Sequence, residues 1–245
     1  MKKTLLIVLL FFCVACKEDA DVILSQAKDK ITKQDFQEAI VLLDKLLADE
    51  PSADGFNVRG IAYFEMKKYE DAIKNFNEAI KMDNAKYKYF YNRANAYQAL
   101  QNMENAIQDY EKALTLKDDV YQIYFNKANA LASLNRQQEA IEDYGKALLL
   151  DDQDKNIYCN RAISLISLSN FGKAQTDLLK CLEIDEDFAK AHYLFAKTEI
   201  DSLKQTTSEG CEHLEKALEL GYTEADSLYQ KYCKGQKKET TKSFN

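Results

Sequence analysis

Asn92, Asn126 and Asn160 stand 34 residues apart, and Asn95 and Asn129 repeat that interval three residues further on. A carboxamide carries two N–H donors and a carbonyl acceptor on a short side chain. A row of carboxamides can therefore hold the backbone amides of an extended peptide whatever that peptide's side chains are. Tyr91 and Phe125 directly precede Asn92 and Asn126 and would add apolar contact. The same amides can also hydrogen-bond within their own molecule, and the sequence leaves both uses open.

Residue types that do covalent chemistry are sparse. There is no Gly-rich phosphate loop and no His pair at helical spacing, and the one Cys-x-x-Cys, Cys13 to Cys16, falls at the end of the apolar N-terminal run, so no catalytic residue, metal ligand or cofactor is assigned. His192 and His213 lie in an irregular stretch and read as packed or surface histidines. The formal charge is −7 and no basic stripe stands out, which argues against nucleic acid as a partner.

The elements that carry the asparagines are legible from the same period. Gly60, Ala94, Ala128 and Ala162 are 34 apart, and Ala72, Ala106, Ala140 and Ala174 follow twelve residues later. Phe56, Phe90, Tyr124 and Tyr158 sit four residues before the first set. Tyr63, Tyr97, Leu131 and Leu165 sit three after it. Steps of four and three keep these residues on one face of a helix. Phe76, Tyr110, Tyr144 and Leu178, with Ala79, Ala113, Ala147 and Cys181, give a second helix the same kind of face. Each unit is two amphipathic helices that bury their faces only by stacking on neighbours. One Pro and seven Gly in 245 residues leave little for β-turns, so the fold class is all-α.

This pattern resembles the tetratricopeptide repeat family, strongly over residues 53–188 and less regularly on either side. The resemblance implies a right-handed superhelical solenoid of stacked antiparallel helix pairs, about six repeats plus a C-terminal capping helix. The predicted boundaries are 20–52, 53–86, 87–120, 121–154 and 155–188 for five repeats. A degenerate sixth follows at 189–222, where Ala196, Leu214 and Ala217 fit only with two residues inserted between the helices. A capping helix covers 223–234, and residues 235–245, without periodic apolar positions, read as a disordered tail. The piece Lys216-Ala217-Leu218-Glu219-Leu220-Gly221, with Glu224-Ala225, resembles SEL-like repeats.

In such a superhelix the first helix of each unit lines the inner wall. Residues two before and one after the small position face it: Val58, Asn92, Asn126 and Asn160, then Ile61, Asn95, Asn129 and Ile163. The resemblance therefore implies a groove for a protein partner built on Asn92, Asn95, Asn126, Asn129, Asn160, Tyr91 and Phe125. The carboxylate clamp of chaperone-binding relatives does not carry over. Its place is taken by Asn57, Tyr91, Phe125 and Cys159, with Lys88 the only base nearby. A small-ligand capture protein and a structural spacer remain as alternative readings. A polar column accompanies the small one. Arg59, Arg93, Lys127 and Arg161 recur with Asn75, Asp109, Asp143 and Asp177, which predicts an ion pair or hydrogen bond between the helices of each unit.

The first residues, Met1-Lys2-Lys3, an apolar run from Thr4 to Val14, then Ala15-Cys16, resemble a bacterial lipoprotein signal peptide (residues 1–15) with Cys16 as the lipidated residue. Cys13 stands where Leu is usual. The implied location is the bacterial cell envelope, on the outer membrane by a lipid anchor, at the periplasmic face or the cell surface. Lys17-Glu18-Asp19 looks like a short surface-export tag within a tether of residues 16–19. An exported location permits disulfides. Cys211 and Cys233 are equidistant from the predicted turn at Gly221-Tyr222, and each shares a face with the apolar residues of its helix, which predicts a bond between them. Cys159 and Cys181 are equidistant from Asn170 and form a candidate second pair, although Cys181 also fits the small-residue packing column.

Overall fold

The computed structural model describes residues 20–234, so the expected signal peptide, Cys16, the expected tether and the expected tail lie outside the described residues. The described residues form helices in two compact units, divided after Asp83.

The first unit holds α1 (Ala20–Thr32), α2 (Phe36–Asp49), α3 (Ala53–Glu65) and α4 (Tyr69–Met82). The helices pair as α1 with α2 and α3 with α4, and α2 packs on α3. Ala27, Ala39, Leu43 and Ala62 are fully buried between them. Ser52 caps α3 by accepting from the Gly55 N–H at 3.2 Å. Gly60 is required by contact, since a Cβ there would lie 2.5 Å from the Phe76 ring.

The second unit holds α5 (Tyr87–Ala99), α6 (Met103–Leu116), α7 (Tyr121–Ser133), α8 (Gln137–Leu150), α9 (Lys155–Ser167), α10 (Phe171–Ile184), α11 (Ala189–Leu203) and α12 (Ser208–Glu219). A 3-10 turn (Thr223–Ala225) and α13 (Asp226–Tyr232) close it. Consecutive helices pair, and the pairs stack in chain order through α6 on α7, α8 on α9 and α10 on α11, as in a solenoid. The small column Ala94, Ala128, Ala162 and its partner column Ala106, Ala140, Ala174 are fully buried, with Tyr110, Tyr144 and Leu178 filling the gaps between pairs. Small residues let the helix axes approach and the large ones occupy the space left over.

The helices of each pair are also tied by the polar column. The Arg93 guanidinium donates two bonds to Asp109, both 2.7 Å, and Arg161 does the same to Asp177 at 2.7 and 2.6 Å. Lys127 lies 3.0 Å from Asp143. In the first unit Asn75 replaces the acid, and Arg59 binds Asn75 at 2.7 Å and turns its other nitrogen to Asp44. Half-buried pairs of this kind fix which faces meet more than they add net stability.

The turns inside the pairs depart from the usual chemistry. Lys67, Gln101, Asn135 and Ser169, spaced by 34, adopt positive φ of 58–61°, and Gln34 at 65° and Lys204 at 60° do likewise. They end their helices in a Schellman arrangement: the Asn102 N–H reaches back to the Tyr97 carbonyl at 2.9 Å and the Asn170 N–H to Leu165 at 2.8 Å. Glycine ordinarily takes that position, and here none does. The sixth pair absorbs its extra residues through a 15-residue α11 and a longer turn. This puts Gly210 in the small-residue position of α12, buried.

Candidate functional site

The asparagine column lies on α5, α7 and α9, the first helices of three successive pairs, which also touch one another directly. The amides interlock. Asn126 Nδ2 donates to Asn95 Oδ1 at 3.1 Å and to the Tyr91 hydroxyl at 3.2 Å. One repeat later Asn160 Nδ2 donates to Asn129 Oδ1 at 3.0 Å. Each accepting carbonyl takes a second bond from the second helix of its own pair: Tyr110 Oη to Asn95 and Tyr144 Oη to Asn129, both 2.6 Å. Burial holds both phenols well above their ordinary pKa, so they remain donors.

The structure therefore brings Asn95, Asn126, Asn129, Asn160 and Tyr91 into one network, with the rings of Tyr91 and Phe125 tilted against Tyr110 and Tyr144 at 6.1 Å. Asn92 stands in the same column on α5. Phe125 replaces Tyr91 one repeat on and offers no hydroxyl, so Asn160 has one amide bond in the network where Asn126 has two. The network leaves the carbonyl oxygens of Asn126 and Asn160 and the amino groups of Asn95 and Asn129 outside it. All four amides are half-buried and held in fixed orientations. Of the two uses the sequence left open, the internal one is present, and it pre-orients the groups that the external one would need. Tyr110 and Tyr144 were legible only as packing residues; nothing in their spacing marked them as donors to the asparagines.

The cysteines divide. Cys211 and Cys233 are joined by a disulfide with a Cα–Cα distance of 5.5 Å, fastening α12 to the end of α13. The second candidate pair is not bonded: Cys159 and Cys181 are free thiols, both buried. Cys181 takes the small-residue place held by Ala113 and Ala147 and packs as a small side chain in one core with Cys159. A hydrogen bond between the two thiols lowers the pKa of Cys159 and raises that of Cys181. Among the described residues, no group of three or more His, Cys, Asp or Glu side chains is placed to hold a metal ion. No helix there is long and apolar enough to cross a membrane.

Two further polar clusters were not foreseen. Glu199, 7% exposed, accepts from the Thr206 hydroxyl at 2.7 Å, the Thr207 hydroxyl at 2.8 Å and the Thr207 N–H at 3.1 Å, at the N-terminus of α12. His192 and His213, 21 residues apart in sequence, meet with their Nδ1 atoms 2.6 Å apart.

Models of the tetratricopeptide repeat match residues 53–84, 87–119, 121–154 and 156–188, more than half of the chain. The chain belongs to the tetratricopeptide repeat family. Its solved structural neighbours include the C-terminal part of a tetratricopeptide repeat protein from Cytophaga hutchinsonii, 18% identical, covering 85% of this chain and 88% of that one with a TM-score of 0.72. PilF of Pseudomonas aeruginosa is 17% identical over 86% of this chain and 95% of its own, with a TM-score of 0.71. YrrB, described as a TPR protein with an unusual peptide-binding site, is 18% identical over 77% of this chain and 97% of its own, at 0.68. At these identities the likeness concerns the fold. No curated protein sequence matches the chain. Tetratricopeptide repeats are generally non-enzymatic scaffolds for protein–protein contact, which is the coarse role the family assigns here.

Proposed function

We propose that the asparagine face of α5, α7 and α9 binds an extended segment of a partner protein, and that the chain acts as a non-catalytic scaffold in the bacterial envelope. The observation that carries this reading is the interlocked amide network. It holds four carboxamides rigid and leaves a carbonyl or an amino group of each uncommitted. Rigid amides bind a peptide backbone without the ordering cost that free side chains incur. Backbone recognition suits a partner defined by its extended conformation more than by its sequence, and the wall offers Tyr91 and Phe125 for apolar side chains between the amide contacts. The envelope assignment rests on the lipoprotein-like start, with Cys16 as the anchored residue.

A photo-crosslinking amino acid tests the binding face in cells. Gln122 is exposed and one helical turn before Asn126, hence on the same face. Glu111, exposed on α6, serves as the control. Specific protein adducts from position 122 and none from 111 are expected; no adduct at 122, or the same adducts at both, refutes the reading. Cys16→Ser in the same cells is expected to leave the protein unprocessed or soluble. Membrane retention of the variant at the same processed size as the parent overturns the anchor.

A further inference from the structure

The sixth helix pair carries a feature that the binding face does not use. His192 on α11 and His213 on α12 face each other across the hairpin, Nδ1 to Nδ1, at 2.6 Å. The rings are tilted at 40° with centroids 4.9 Å apart, and Phe195 packs on His213 at 4.3 Å. The other nitrogen of His192, Nε2, lies 2.8 Å from the Glu186 carbonyl. A carbonyl only accepts, so Nε2 of His192 carries the hydrogen and neutral His192 has a bare Nδ1. That nitrogen accepts from His213 Nδ1–H. The contact thus needs one proton between two nitrogens, and it is satisfied when both rings are neutral. One added proton can still be accommodated by exchanging donor and acceptor. Two cannot, because two N–H groups would then oppose each other at hydrogen-bond distance.

We propose that His192 and His213 form an acid-sensitive latch, which closes the last helix pair at neutral pH and releases α12 from α11 when both rings are charged. The surroundings favour a sharp response. Burial first, and the charge of His192 second, push the His213 pKa down to about 4; Glu199 is the acid that opposes this. Glu199 itself is engaged by Thr206 and Thr207. Other charged groups on the surrounding elements have partners of their own: Asp187 with Lys216, Lys197 with Asp201, Lys155 with Asp185 and Lys180 with Glu183. Glu209 and Lys216 lie one turn either side of His213 on α12, and Asp226 and Lys231 of α13 are exposed. The core beside the pair is otherwise apolar: Ala196, Ile200, Leu214 and Ala217. In the unfolded chain a histidine titrates near pH 6.5. The opened state therefore binds more protons than the closed one as pH falls from about 6.5 towards 4, and acid favours opening. The Cys211–Cys233 bond keeps α12 attached to α13, so release moves the two together.

These are the two histidines of the chain, so the imidazole carbon–proton NMR signals of the full-length protein report this pair and nothing else. Amide hydrogen exchange of the same protein between pH 7 and 4, corrected for the intrinsic rate, reads the opening. The latch predicts that His213 stays neutral well below pH 6.5. It also predicts that amides of α11 and α12 lose protection by at least about tenfold across that range, the equivalent of one pKa unit, while those of α7 and α8 hold. In His213→Phe, which keeps the stack on Phe195, the loss disappears. His192→Gln provides a second variant, since its amide can accept from His213 and donate to Glu186; it removes the opposed N–H groups and shrinks the acid step to the part that burial of His213 alone supplies. Independent titration of both rings near pH 6.5 overturns the proposal. So does α11–α12 protection that is constant with pH, or that falls equally in both variants.

Discussion

Glycine to alanine at two positions of this chain should move stability in opposite directions, and the geometry says by how much. Gly145 lies inside α8, where an added Cβ meets only Arg161 Nη1 at 3.9 Å. Replacing it removes the backbone entropy cost of a helical glycine, and Gly145→Ala gains about 0.5–1 kcal/mol. Gly210 lies inside α12, where the same Cβ would fall 2.0 Å from Thr206 Oγ1 and 2.1 Å from Glu199 Oε2. No rotamer adjustment absorbs that, because both atoms belong to the cluster in which Glu199 accepts three hydrogen bonds. The carboxylate must leave its pocket. Each hydrogen bond to a charged acceptor contributes about 1.5–3 kcal/mol, so losing two of the three, less the helix gain, costs Gly210→Ala about 2–5 kcal/mol. Part of that is the favourable placement of a negative charge beside the first turn of α12. Thermal melts followed by helical circular dichroism give the direction. Hydrogen exchange then assigns the loss to α11 and α12, since each pair in a repeat stack contacts only its neighbours. Unchanged stability in Gly210→Ala would mean that the cluster yields at little cost, and the account of the sixth pair would fail. Destabilisation by Gly145→Ala would refute the open space assigned to that site.

Two further outcomes follow from the turns and the amides. Gln101 sits at φ 61°, where a side chain other than that of Gly or Asn costs about 1–2 kcal/mol, so Gln101→Gly should raise stability by about 0.5–1 kcal/mol after its own entropy cost. Asn135→Gly at the matching turn should change it little, and melts in which both behave alike would refute the strain argument. Asn126→Ala removes two hydrogen bonds and Asn160→Ala one, so in urea titrations the first should cost about 1–2 kcal/mol and the second about half as much. Equal costs would show that the Tyr91 hydroxyl adds nothing to the ladder.

The repeat was legible because its chemistry is local. Steps of three, four and 34 residues reflect helix geometry and the identity of successive pairs, so the buried columns at Ala94 and Ala106 could be read without coordinates. The bidentate Arg93–Asp109 and Arg161–Asp177 pairs were legible for the same reason: base and acid recur together at one interval. Where the period breaks, the Cys211–Cys233 bond and the inserted residues were legible, but the polar chemistry was not. The two-residue insertion of the sixth pair hid that Gly210 replaces an alanine of the column and that Glu199 lies over it. The positive-φ turns left no trace, because Lys67, Gln101 and Ser169 are not residues that announce that conformation. Cys159 and Cys181 were as symmetric about their turn as Cys211 and Cys233. Symmetry about a turn fixes height along two helices and leaves their rotation open, so it brings two thiols near each other without deciding between a disulfide and a thiol hydrogen bond.

The asparagines show why one sequence feature can support two functions at once. A column of carboxamides could have been either structural glue or a ligand-binding rail, and the two had seemed to compete. The geometry removes that competition. A carboxamide has more hydrogen-bonding groups than one neighbour can satisfy. Asn126 gives its N–H groups to the preceding repeat and keeps its carbonyl; Asn95 gives its carbonyl and keeps its amino group. Internal bonding therefore sets the orientation of the groups left over. The same bonds make these residues poor sites for an alanine knockout, because alanine removes the inward bond together with the outward group. Crosslinking from Gln122, which sits beside the network and outside it, separates the two roles where alanine at Asn126 cannot.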